Sequence, residues 1–135
     1  MRKFLFVLLI GPVLFASDQN LATKIYLSIA KELSKKDQPL FYIHGEVEYL
    51  RNNQKIAITH TCDQADIIVL NTFNRLPKHC EKKLIFTNSY RVYLKNENIL
   101  GAFFWQKGRP NIVFRGSSLK KMQIKLKPSF NKYID

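Results

Sequence analysis

The sequence predicts an α/β fold: a single small domain with a mainly parallel sheet, flanking helices and an antiparallel hairpin at one edge. Three observations carry this prediction. Short apolar runs of strand character recur along the chain, among them "LFYIHG", "ADIIVLNT" and "KLIFTNS". Segments with helical spacing separate several of them. Near the end, two strand-like runs flank a tight turn, "QKGRP". A length of 135 residues suits one domain, and 46% hydrophobic with 24% charged residues is ordinary globular composition.

The first helix is expected from Asn20, whose side chain can accept a bond from an early free N–H. Leu21, Ile25, Ile29 and Leu33 recur every four residues, and Ala22, Tyr26 and Ala30 widen the stripe. Pro39 ends the segment, because the residue before a proline is biased away from helical angles. "LFYIHG" then reads as a buried strand over 40–45. "EVEYLRNN" reads as a short helix with Val47 and Leu50 on one face. "KIAITHTC" alternates, with Ile56, Ile58, His60 and Cys62 on one side, which argues for a strand. "ADIIVLNT" is continuously apolar, as in a strand covered on both faces.

"RLPKHCEKK" is expected as a loop with a helical turn, "KLIFTNS" as another strand and "YRVYLKNEN" as an irregular or helical connection. Ile99 to Trp105 and "NIVF" form the terminal hairpin, with Gly108 at the turn and Pro110 at its end. In a strand, Phe103 and Trp105 share one face and Ala102 and Phe104 the other. Helices on both sides would make all these rings core. Ser117 or Ser118 can cap a short helix carrying Leu119 and Met122. Pro128 suits the first turn of a last helix that packs Phe130 and Ile134.

The chain opens "MRKFLFVLLIGPVLFAS": Arg2 and Lys3, an apolar run from Phe4 to Phe15, then Ala16 and Ser17. This is the layout of a secretory signal peptide over residues 1–17, leaving 18–135 as the domain. The apolar run is short of the roughly 20 residues that a spanning helix needs. A cleaved leader places the mature protein in the periplasm. Lys and Arg number 22 against 10 acids, a charge of +12. Loss of Arg2 and Lys3 leaves about +10. After export, that excess suits an acidic protein partner or an anionic membrane surface, and nucleic acid is not expected.

Cys62 and Cys80 form an even pair, which an oxidising compartment favours as one disulfide. The neighbouring "HTC" and "HC" keep an alternative open: His60, Cys62, His79 and Cys80 as an N₂S₂ set for Zn²⁺ or Cu⁺. Catalysis is not expected. The chain has no Gly-x-Ser-x-Gly elbow, no Gly-x-Gly phosphate loop and no Cys-x-x-Cys, and no cofactor is implied. His44 ends a strand, where α/β sites cluster. Ser89 and Arg91, in "NSYR", could bind an anion. Asp63 reads as a turn residue, Asp66 as a strand-entry residue, and Glu46 and Glu48 as a solvated face. Gln106, Lys107 and Arg109, at the hairpin tip, are the candidate partner contacts.

The last third, "NIVFRGSSLKKMQIKLKPSFNKYI", resembles the C-terminal end of the YfiR-like periplasmic proteins. There a hairpin strand leads to a short helix, a step like "IKLKPSF" and a final apolar helix. "CDQADIIVLN" is similar to the strand that enters that family's sheet. The resemblance implies a small α/β domain similar to one lobe of a periplasmic binding protein. It also implies inhibitory binding to the periplasmic domain of a membrane signalling enzyme, notably a diguanylate cyclase, with redox control through disulfides. The chain departs from that picture in having only two cysteines.

The leading expectation is therefore an exported, non-enzymatic protein that binds an envelope or membrane partner. Two other classes stay open: a single-lobe solute-binding module of a transporter, and a periplasmic Zn/Cu-binding protein.

Overall fold

The computed structural model describes residues 20–51 and 53–135. The expected signal peptide lies outside the described residues. Helix α1 covers residues 20–34. Strands follow at Leu40–His44 (β1), Ala57–Ile58 (β2), Ile67–Leu70 (β3), Ile85–Thr87 (β4), Gly101–Gln106 (β5) and Arg109–Phe114 (β6). Between and after them lie helices Glu48–Arg51 (α2), Tyr90–Lys95 (α3) and Gly116–Lys121 (α4), with 3₁₀ turns at Cys62–Gln64, Lys78–Lys82 and Pro128–Tyr133. No helix among the described residues is long and apolar enough to cross a membrane.

The six strands form one sheet in the order β2-β1-β3-β4-β5-β6. All pairs are parallel except β5 with β6. The α/β class, the mainly parallel sheet and the antiparallel edge hairpin are as the sequence predicts.

The period-two rule divides the core. Phe41, Ile43, Ile67, Val69, Phe86, Phe103 and Phe114 are buried on one face of the sheet, under Tyr26, Ile29, Ala30 and Leu33 of α1. Ile68, Leu70, Ile85 and Ala102 are buried on the other, with Tyr93 of α3, Leu76, Cys62 and Cys80. The continuous "IIVL" of β3 feeds both layers, so all four residues are buried. Tyr26 meets Phe103 edge-on at 5.2 Å.

Several expectations are corrected. The buried stripe of α1 is rotated away from Leu21, which is 42% exposed, toward Ala22 and Tyr26. Strand β2 is two residues long, not the run to Cys62. Its chain leaves the sheet where the Thr59 hydroxyl donates to the Thr61 carbonyl and accepts from the Thr61 N–H. Hydroxyl side chains that bond locally in this way compete with ladder pairing. Helix α4 starts at Gly116 with Arg115 as N-cap and no side-chain cap, so neither Ser117 nor Ser118 serves. Leu119 is buried there, but Met122 is exposed. The final segment is a 3₁₀ turn, not an α-helix. Phe130 packs against Phe114 at 5.8 Å, while Ile134 stays 37% exposed and makes a single bridge to Phe114.

Candidate functional site

Because β1, β3, β4 and β5 run the same way, their carboxyl ends gather at one edge of the sheet. β4 ends at Thr87, which pairs with Ala102. β5 continues through Gln106 with only β6 beside it among the described strands. At about 3.3 Å per residue, the hairpin projects roughly 13 Å past its neighbour. The turn is two residues, Lys107 and Gly108, with φ of +53° and +75°. Positive φ at both central positions matches the right-handed twist of a hairpin, and Gly108 adopts it without strain.

Projection decides how the rings are used. Phe103 still lies under α1 and is buried. Phe104 is half-buried against Tyr90, 4.8 Å between centroids. Trp105, on the opposite face, is 37% exposed and touches Phe103 at 5.9 Å. The expectation that all the hairpin rings are core is therefore corrected, because no helix among the described residues follows the hairpin outward. Tyr90 and Leu94 of α3 are 45% and 59% exposed on the Phe104 side. A groove beside the edge strand is lined by Tyr90, Phe104, Asn111, Val113, Lys132 and Tyr133. Gln106, Lys107 and Arg109 are exposed at the tip, as expected. They line a shallow surface depression with Asn111. Tyr90 and Leu94 were not singled out from sequence, since "YRVYLKNEN" has no clear period to show which side faces water.

The same edge carries the point where the strand order reverses, between β1 and β3. In open α/β sheets, ligands commonly bind at such a crevice. His44 lies here, stacked on Tyr42 at 6.0 Å, and its Nε2–H donates to the Asn74 carbonyl at 2.6 Å. Asn71 donates to the Asn88 side chain at 3.1 Å, and Asn88 donates to the Glu46 carbonyl at 3.4 Å. Gly45 has φ +89°, and a Cβ there would lie 3.1 Å from the Asn71 Cβ. Arg51 donates to the carbonyls of Ile43 and Gly45, both at 3.1 Å. These side chains join three loops to one another. Ser89 does not present its hydroxyl to an anion: it accepts from the Val92 N–H and caps α3.

The opposite, amino edge holds the cysteines. The Cys62 and Cys80 sulfurs lie at disulfide-bonding distance, with Cα atoms 6.0 Å apart. They tie the 3₁₀ turn before β3 to the one before β4. Among the described residues the converging group does not include His60, which follows the end of β2 and is exposed. Asp63 takes its place. The group Cys62, Asp63, His79 and Cys80 has donor atoms all within 4.8 Å of one another, and His79 Nε2 lies 2.6 Å from Asp63 Oδ1.

Two further carboxylates at this edge are held below their ordinary values. Burial works to raise Glu32, but the Lys127 N–H at 2.7 Å and the Lys35 ammonium at 3.2 Å outweigh it. Asp66 behaves alike: burial raises it, and the Lys36 ammonium and the Leu40 N–H more than offset that.

Comparison of the chain with protein-family models, curated proteins and solved structures finds no match.

Proposed function

We propose that this chain is an exported, non-enzymatic domain of the periplasm. It binds the periplasmic part of a membrane protein through the projecting β5–β6 hairpin. The observation that carries this reading is the exposure of apolar rings on both sides of a hairpin whose tip is cationic. Trp105 lies on one side, Tyr90 with Phe104 on the other, and Lys107 and Arg109 sit between them. Interface hot spots favour Trp, Tyr and Arg, because such side chains bury large area at low entropic cost. The fitting partner surface is apolar with acidic rims, which the charge of about +10 left without Arg2 and Lys3 also favours. The regulatory role that the YfiR-like resemblance implies agrees with this reading, and a membrane signalling enzyme is the partner class it names.

The test compares capture by the wild type and by a variant carrying Trp105→Ala, Lys107→Glu and Arg109→Glu. Detergent-solubilised membranes supply the prey. A membrane protein retained by the first and lost by the second supports the proposal. Equal retention by both contradicts it.

A second reading has its own observation, the polar crest at the strand-order reversal. A single-lobe solute-binding module would hold a small polar solute over His44, Asn71 and Asn88. Native mass spectrometry of protein purified without refolding separates the two: a small-molecule adduct that His44→Ala abolishes favours solute binding.

A further inference from the structure

We propose that Cys62, Asp63, His79 and Cys80 form a zinc site when the disulfide is reduced. The two 3₁₀ turns then have two exclusive states, cross-linked or metal-bound. This stands on local geometry and not on the partner-binding reading.

The donors already converge on one point. Asp63 Oδ1 lies 2.6 Å from His79 Nε2 and 3.7 Å from Cys80 Sγ. All four donor atoms fall within 4.8 Å. A tetrahedral zinc with thiolate bonds near 2.3 Å needs its sulfurs about 3.8 Å apart. The two cysteine Cα atoms are 6.0 Å apart, so side-chain rotation after reduction can supply that separation without moving the backbone. The sulfurs are buried at the floor, whereas His79 and Asp63 are 63% and 64% exposed above them. A metal can therefore enter from solvent and close the site from below. Two thiolates, one imidazole and one carboxylate suit zinc.

The chemistry balances with a dithiol as reductant. It delivers two electrons and two protons to the Cys62–Cys80 bond and leaves as its own disulfide. Zn²⁺ then displaces the two thiol protons into solvent. It also takes the place of the hydrogen bond between His79 and Asp63. Lys83 donates to the carbonyls of Asp63 and Ala65 and so helps to hold the turn that carries two of the donors.

The experiment uses the full chain as purified, oxidised or reduced with a dithiol and desalted without oxygen, then mixed with Zn²⁺ alone. Native mass spectrometry should find one zinc per reduced chain and none on the oxidised chain. Bound zinc should protect both thiols from alkylation. Co²⁺ in its place should give thiolate charge-transfer bands. His79→Gln should weaken zinc binding at least tenfold, and His60→Gln should leave it unchanged. Both side chains are exposed, so neither change threatens the fold. If the reduced chain unfolds, recovery of its circular dichroism on adding zinc supports the site. No recovery overturns it. Zinc binding that is absent from the folded, reduced chain, or unaltered by His79→Gln, also overturns it.

Discussion

At the amino edge of the sheet, long side chains reach back to the backbone. At the carboxyl edge, the hairpin carries its side chains out into water. Arg115 shows the first arrangement. Its guanidinium donates to the carbonyls of Ile99, Tyr93 and Asn96 and lies over the Tyr93 ring at 4.2 Å. Lys83, Asp66 and Glu32 make similar long-range contacts, and the cysteine pair ties two turns together. Trp105, Lys107 and Arg109 show the second arrangement. The difference teaches that the cations of this basic chain are of two kinds. Some neutralise carbonyls and carboxylates within the fold. Those at the hairpin tip, Lys107 and Arg109, are exposed and have no such role among the described residues.

This contrast can be broken at the amino edge first. Replacing Cys62 and Cys80 together by alanine should cost about 3 kcal/mol, from the closure entropy of a loop spanning 18 positions. Urea unfolding reads it. A loss near zero would mean that the bond holds nothing the turns do not already hold. Arg115→Met keeps the length of the stem and removes the donors. It should cost about 2 kcal/mol by the same measurement, because three carbonyls lose a charged partner.

The carboxylates sharpen the contrast through pH. Glu32 and Asp66 have folded values below their ordinary 4.5 and 3.8. Their contribution is therefore fully present above those ordinary values and is lost as pH falls through the folded values. Thermal unfolding followed from pH 6 downward should show this loss, and Glu32→Gln should flatten the slope. At neutral pH, Glu32→Gln should cost about 1 kcal/mol, the difference between a charged and a neutral acceptor.

The smallest effect belongs to the carboxyl edge. The Trp105→Ala, Lys107→Glu, Arg109→Glu variant should change unfolding free energy by less than about 0.5 kcal/mol, as exposed substitutions usually do. A large loss would show the hairpin to be a structural element rather than a presented surface.

The strands were legible in the sequence wherever apolar runs are bounded by turn residues. "IIVL" forms β3, buried on both faces, and "LFYIHG" forms β1, in which buried and half-buried side chains alternate. The hairpin was legible from Gly108 between two aromatic or β-branched runs. Chain length beyond the neighbouring strand was not, and this length exposes Trp105. A local pattern shows which rings share a face, but not whether anything covers that face. The same limit explains His60. Alternation placed it beside Cys62, but a strand ends where local hydroxyl bonds win over the ladder, and that competition is settled in three dimensions. Asp63, Glu32 and Arg115 acquired their roles from partners 16, 95 and 16 positions away. No window of sequence displays such distances.

The central claim, that the hairpin end of the sheet is the contact surface, is tested most directly by a photo-crosslinking amino acid placed at position 107 and, separately, at position 121. Lys107 lies at the hairpin tip and Lys121 at the opposite edge, and both are exposed. Irradiation of cells should join position 107 to one discrete membrane protein and leave position 121 without an adduct. Crosslinking from position 121 with none from position 107 would contradict the account.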